Sequence, residues 1–261
     1  MSGAREKISA ATYFRLTLVE EFALLMSGHR LLVPHVAERV LTYLALANRP
    51  VARVRLAGAL WPDCTEQSAS KSLRTALWRV RQVNSNLVEI SGERLRLDPT
   101  VAVDISQLTA LAQRLVVAPN GESLDQVHLL IDHVELLPDW DEEWVAANRE
   151  RYRLARLAAL ENAACALLDR DQLGQALIAA MAVVDAEPLR ESARRIVMRV
   201  HLAQGNIAEA IQEHHRYRRL LQSEFGVEPS HEMDELLSGC YRRCVMPGDH
   251  VGVNVGGPCG S

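Results

Sequence analysis

The chain has 261 residues, 48% of them hydrophobic and 24% charged, with a formal net charge of −4; this excludes a mostly disordered or collagen-like chain and suffices for a core without disulfides or metals. Its five cysteines (Cys64, Cys165, Cys240, Cys244 and Cys259) form no Cys-x-x-Cys pair, which points to a reducing compartment. No apolar run reaches the ~18 residues of a membrane span, and the N-terminus leads into charged sequence and not a signal peptide, so a cytoplasmic protein without a membrane partner is expected. The charge is unevenly placed. Residues 1–96 hold 14 Lys+Arg against 8 Asp+Glu, and residues 97–261 hold 15 against 25. The basic part suits a polyanion; the acidic remainder as a whole does not.

In chain order, residues 13–18 alternate, with Phe14, Leu16 and Leu18 on one side and Tyr13, Arg15 and Thr17 on the other, the pattern of a half-buried strand. Residues 22–26 and 30–33 can pair with it around Ser27-Gly28. Pro34 suits a helix start; Val36, Val40, Leu41, Leu44 and Ala47 carry that helix to Asn48-Arg49-Pro50. A second short helix follows within Val51–Leu60 after an extended lead-in, ended by Trp61-Pro62-Asp63. The spacing then predicts a long helix over 66–84 with Ala69, Leu73, Ala76, Leu77 and Val80 as its apolar face. Leu87–Ile90 and Arg94–Leu97 alternate around Ser91-Gly92-Glu93 as a hairpin, and Val101–Val103 forms a further short strand. Sheet, three helices and hairpin in this order describe a winged helix-turn-helix over residues 13–103, after a tail at 1–12.

The remainder reads as helices. Asp104 and Gln107 suggest a capping box for a helix reaching Val117, closed by Pro119-Asn120-Gly121. Leu124, Val127, His128, Ile131 and Val134 make the stripe of the next helix. After the turn Pro138-Asp139-Trp140 comes a long helix over 142–169. Leu173–Leu177 and Ile207–Ile211 are then similar at an offset of 34 residues, the period of a tetratricopeptide repeat. The Glu-Pro pairs at 187 and 228 are 41 apart, so the later unit is extended. The fold expected is therefore mainly α: an α+β winged helix, then an all-α tetratricopeptide-like domain over 104–238. Residues 239–261, without periodicity from Met246, are expected as a disordered tail.

The chemistry sits on the non-apolar face of helix 66–84. Stepping about 100° per residue from Leu73 places Lys71, Thr75, Trp78 and Gln82 opposite the core, with Ser68 and Arg79 nearby and Arg74 and Arg81 on the flank. No acid follows Glu66 on this helix. Arginine can bridge guanine edges; lysine and threonine suit phosphates and thymine methyls. Trp78 either packs against the hairpin or sheet through a rotated helix, or touches sugar or a thymine methyl. In the hairpin Leu95 and Leu97 face inward while Arg94 and Arg96 face outward, a pattern suited to backbone or minor groove. The expected partner is double-stranded DNA, and the expected DNA-binding residues are Lys71, Arg74, Thr75, Trp78, Arg79, Arg81, Arg94 and Arg96.

No Gly-x-Gly-x-x-Gly, phosphate-loop or Gly-x-Ser-x-Gly pattern is present. No catalytic residue, cofactor or metal is expected. His231-Glu232 lacks the second histidine of a zinc protease, and Cys240 and Cys244 lack a histidine pair. Glu213-His214-His215 reads as a solvated helix face, and Trp140 with Trp144 as core anchors. The competing reading is an adaptor, a repeat scaffold whose winged part makes only protein contacts.

Five blocks in order carry a resemblance: Ala59-Leu60-Trp61-Pro62-Asp63; Ser72-Leu73-Arg74-Thr75-Ala76-Leu77 with Arg79-Val80-Arg81; Leu136-Leu137-Pro138-Asp139-Trp140 with Glu143-Trp144-Val145; Glu187-Pro188-Leu189-Arg190-Glu191; and Glu224-Phe225-Gly226-Val227-Glu228-Pro229-Ser230. Over about residues 13–238 the chain resembles activators of the Streptomyces antibiotic regulatory protein (SARP) type, an OmpR-like winged helix followed by a bacterial transcriptional activator domain. The resemblance implies binding to tandem direct repeats near promoters, recruitment of RNA polymerase, and a helical domain that supports activation or side-by-side homodimers. The chain departs from the family pattern at Ala69-Ser70-Lys71, where Ala-Arg-Asn is usual, at Trp78, where a small residue is usual, and at Arg94-Leu95, where Gly-Tyr is frequent.

Overall fold

A computed structural model describes residues 14–132 and 134–244, the last six as helix backbone only. Tyr13, the N-terminal tail and everything after Cys244 lie outside the described residues; the start of the expected disordered tail, 239–244, is instead the end of a helix, His231–Cys244. Two compact units divide between Ala163 and Ala164.

The first unit opens with strands β1 (Phe14–Thr17), β2 (Ala23–Met26) and β3 (His29–Leu31). Phe14, Leu16 and Leu18 are buried and Arg15 is exposed, as the alternation requires. Helix α1 (His35–Ala47) buries Val40, Leu41 and Leu44. It stops at Asn48, whose φ of 48° is the left-handed geometry that asparagine tolerates. The extended lead-in is β4 (Val51–Ala52), followed by α2 (Arg53–Leu60) and α3 (Glu66–Val83). The hairpin is β5 (Val88–Ser91) and β6 (Arg94–Leu97); β4 joins it to give the sheet order β4-β6-β5. The last strand, β7 (Ala102–Val103), belongs to the other sheet: it runs parallel to β1, giving β3-β2-β1-β7. The order is that of a winged helix-turn-helix.

Helix α4 (Asp104–Val117) starts without the expected capping box. The Asp104 carboxylate turns back to the end of β1 and accepts the Leu18 and Val19 N–H groups at 2.9 Å each. Those donors would otherwise lack a partner where the strand leaves the sheet. The capping box lies instead at Asn120–Ser123, ahead of α5 (Gly121–Asp125). The single helix expected through Val134 is two, α5 and α6 (His128–Asp132). Between them the hydrogen bonds run back three residues, from Val127 to Leu124 and from Leu130 to Val127. That tighter turn puts Leu124, Val127 and Leu130 all inside and leaves Val134 half exposed.

The segment before the long helix α7 (Glu143–Asp169) is stitched to the first sheet. Val19 bridges Leu136, Glu20 N–H donates to Glu135 O at 2.8 Å, and Leu137 N–H donates to Leu18 O at 3.0 Å. From α7, Arg149 collects the carbonyls of Leu136, Leu137 and Trp140. Trp140 stacks on Phe22 and meets Trp144 edge-on, which in turn meets Tyr43; both tryptophans pack on the core but stay partly exposed, and Trp144 also lines a cavity beside Trp61 and Pro62.

The second unit contains α8 (Leu173–Ala186), α9 (Glu191–Ala203), α10 (Ile207–Phe225) and α11 (His231–Cys244). The repeat is real in three dimensions: Leu173 and Ile207 begin equivalent helices, and Ala176 and Ala210 are both fully buried. The longer α10 accounts for the wider Glu-Pro spacing, and its end is marked by Gly226 at φ 68°. Glu213 and His214, expected on a solvated face, are 3% and 6% exposed. Arg194 on α9 pairs with Glu213, lies 5.2 Å from the Tyr217 ring centroid and donates to Pro188 O at 2.7 Å. His214 Nε2 sits 2.7 Å from Asp234 on α11. A buried carboxylate is tolerable here because its guanidinium partner is buried beside it. None of the helices among the described residues is long and apolar enough to cross a membrane.

Candidate nucleic-acid interface

Helix α3 forms because Thr65 caps it, accepting the Ser68 N–H at 3.4 Å, and because one face packs on α1 and α2. The five apolar positions read from the sequence, Ala69, Leu73, Ala76, Leu77 and Val80, are all buried. That burial fixes the rotation of the helix and so decides what faces outward. Lys71, Arg74, Thr75, Trp78, Arg79, Arg81 and Gln82 are all exposed. Lys71, Thr75, Trp78 and Gln82 fall within an arc of about 60° centred opposite the core. Arg74 and Arg81 flank one side and Arg79 the other.

Several of these side chains are already ordered, Arg74 among them, its Nε donating to Ser70 O at 3.4 Å. Thr75 Oγ1 donates back to Lys71 O at 3.2 Å, and the Arg79 Cζ lies 4.8 Å from the centroid of the Trp78 ring. Trp78 itself is 52% exposed. The alternative of a rotated helix with Trp78 packed inward therefore does not hold. Among the described residues, Lys71, Arg74, Arg79 and Arg81 have no acidic partner within 4.0 Å, so their charges are open to a polyanion.

The hairpin presents its arginines differently. Leu95 is fully buried, which turns Arg94 and Arg96 outward on β6. Arg94 Nη1 donates to Pro50 O at 3.3 Å, tying the wing to the strand before α2. Arg96 faces Glu89 in the β5–β6 register and pairs with it at 2.6 Å. The hydrogen bond to that carboxylate holds the Arg96 guanidinium above its ordinary range. Arg96 is thus half-spoken for, a cross-strand effect that reading each strand singly does not reveal. Two further exposed arginines, Arg49 and Arg55, stand beside this sheet. Their signal was present in the sequence: no acid occurs from Arg39 to Pro62.

No group of three or more His, Cys, Asp or Glu among the described residues could hold a metal ion. Residues 121–238 match the family profile of the bacterial transcriptional activator domain. The chain is 33% identical over 214 residues to the regulatory protein AfsR of Streptomyces griseus, covering 76% of this chain and 21% of that protein. It is 31% identical over 200 residues to AfsR of Streptomyces coelicolor, covering 72% and 20%. The chain therefore spans about a fifth of the length of those two regulators. Its fold is similar to that of Mycobacterium tuberculosis EmbR, solved in complex with a low-affinity phosphopeptide, with a TM-score of 0.68 at 18% identity, over 91% of this chain and 67% of that one.

Proposed function

We propose, for a transcriptional regulator of the SARP type that carries a bacterial transcriptional activator domain, that it binds duplex DNA sequence-specifically through residues 13–103 and activates transcription through residues 104–238. The observation that carries the reading is the outward face of α3, a helix pinned by five buried apolar residues whose open side holds cations and no acid beyond its first turn. In this reading α3 lies in the major groove. Arg74 and Arg79 read base edges, Lys71, Thr75 and Arg81 hold phosphates, and Arg94, with Arg96 in part, positions the wing on the backbone. The targets are tandem direct repeats near promoters, occupied by side-by-side copies, and the acidic helical part contacts RNA polymerase.

The test uses the full chain. Duplexes retained from a random pool are sequenced, and affinity for the selected site is followed as salt rises. Retention of a defined repeated motif is expected, with affinity falling on the order of a thousandfold between ~50 and ~200 mM salt if about six phosphates are neutralised. A chain that retains no duplex at ~50 mM salt is the adaptor of the competing reading.

A further inference from the structure

Trp78 lies within the outward arc of α3, roughly 25° from the point opposite the core, the last place where packing alone puts a tryptophan. About half of it is exposed, and the Arg79 guanidinium lies 4.8 Å from its ring centroid. If α3 occupies the major groove, as proposed above, its outward arc meets the groove floor, and its flanks run toward the walls, from which the long side chains of Arg74 and Arg79 still reach base edges. The floor presents hydrogen-bond donors and acceptors at every base pair and a single apolar group, the C5-methyl of thymine. Deoxyribose belongs to the walls and is nearer the flanking arginines.

We infer that Trp78 is a specificity-determining residue that reads a thymine by packing against its C5-methyl, and that Arg79 acts as its positioning residue. The stacked guanidinium covers one face of the indole and holds its rotamer by a cation–π contact. About half of the side chain stays exposed to a partner. An indole held before binding loses little rotamer freedom on docking, so the gain from covering a methyl group is kept. This inference rests on the reading of α3 as the groove helix.

Replacing thymine by uracil removes the methyl and nothing else. The experiment takes the selected duplex, substitutes uracil at each thymine in turn, and measures affinity for the full wild-type chain, Trp78→Ala and Trp78→Phe. One thymine in each half-site is expected to show a loss of about fourfold with the wild type, the equivalent of ~0.8 kcal/mol per buried methyl. Trp78→Ala should bind the thymine and uracil duplexes equally well, and Trp78→Phe should retain part of the difference. A wild-type chain that keeps its preference for the selected duplex but ignores uracil at every position overturns the inference and leaves the DNA reading intact. So does continued discrimination at the same thymine by Trp78→Ala. A Trp78→Ala chain that discriminates normally but loses self-association in sedimentation assigns the indole to a second copy instead. Failure to retain any duplex defeats the reading of α3 first, and this inference with it.

Discussion

Removing the Glu213 carboxylate should cost more than any other single change to a charged residue of the second unit. Arg194 and Glu213 have side chains only 5% and 4% exposed, and Glu213 also accepts from Arg216, which is itself 61% exposed. In Glu213→Ala the Arg194 guanidinium stays buried with only the Pro188 carbonyl and the Tyr217 ring for company. Leaving one charge of a buried pair uncompensated costs roughly 3–5 kcal/mol, whereas the exposed Arg216 pair contributes under ~1 kcal/mol. For a unit of this size, with roughly 0.05–0.15 kcal/mol of stability per residue, that is about a fifth or more of the total. All four tryptophans precede Ala164, so fluorescence reports the first unit, while far-ultraviolet circular dichroism includes the helices of the second. In urea the helical signal should lose its later phase or shift by about 2 M, taking a slope of ~1.5–2 kcal/mol per M. Arg194→Met combined with Glu213→Leu should recover most of the loss, because two apolar groups need no partner. A midpoint within about 0.5 M of wild type for Glu213→Ala, or a double variant no better than the single, would refute the reasoning.

Three further outcomes follow from contacts described above. Asp104→Ala strands the Leu18 and Val19 N–H groups and should destabilise the first unit by about 2–3 kcal/mol in fluorescence-detected unfolding; no change would mean that water replaces the carboxylate. Arg94→Ala should weaken all duplexes about equally and lower the salt slope by ~1, whereas Arg74→Ala should cost ~1–3 kcal/mol on the selected site and relax one position of it; the reverse pattern would exchange their roles. Glu89→Gln releases Arg96 from its partner and should tighten non-specific binding while steepening the salt slope by up to ~1; an unchanged slope would place Arg96 off the DNA.

The first hundred residues were legible because their signals are local. Period-two alternation gave β1 and the hairpin, and a 3.6-residue stripe gave α3 with every buried position named. What escaped were pairings that only the fold supplies. Nothing in Val101–Val103 says that it lies parallel to β1, more than eighty residues earlier, and nothing in Leu136-Leu137 says that it bridges Val19. Asp104 was legible as a helix start but not as the acceptor for another strand. The polar run Glu213-His214-His215 looked solvated because the group that makes its burial tolerable, Arg194, is on a different helix. The exposed face of α3 was readable in full, since burial of five apolar residues fixes everything opposite them. The wing was readable only in part: outward direction follows from alternation, but the Glu89 that occupies Arg96 is a matter of register.

The blocks that carry the SARP resemblance turn out to be of two physical kinds. Most are joints. Leu60 gives its carbonyl to Arg39 at 2.6 Å, and Leu136 and Leu137 give theirs to Arg149. Pro188 and Leu189 give theirs to Arg194 and Tyr217, and Glu191 accepts both the N–H and the hydroxyl of Ser230, so the fourth and fifth blocks close on one another. A loop whose carbonyls are taken up by long side chains packed against it has few alternative sequences, which is why such short blocks carry a fold. The second block is different: Arg74, Thr75, Arg79 and Arg81 are exposed and make no structural ion pair among the described residues. Packing does not demand them there, which supports the contact with DNA proposed above. Of the departures, Lys71, Trp78 and Arg94 are exposed, whereas Leu95 is fully buried in the hairpin, and none of them lies in the four joint blocks. On the proposed reading, the departures on the outward face of α3, Lys71 and Trp78, change what that helix meets and leave its five buried contacts in place. The sequence preference of this chain should therefore be its own, set above all at Trp78.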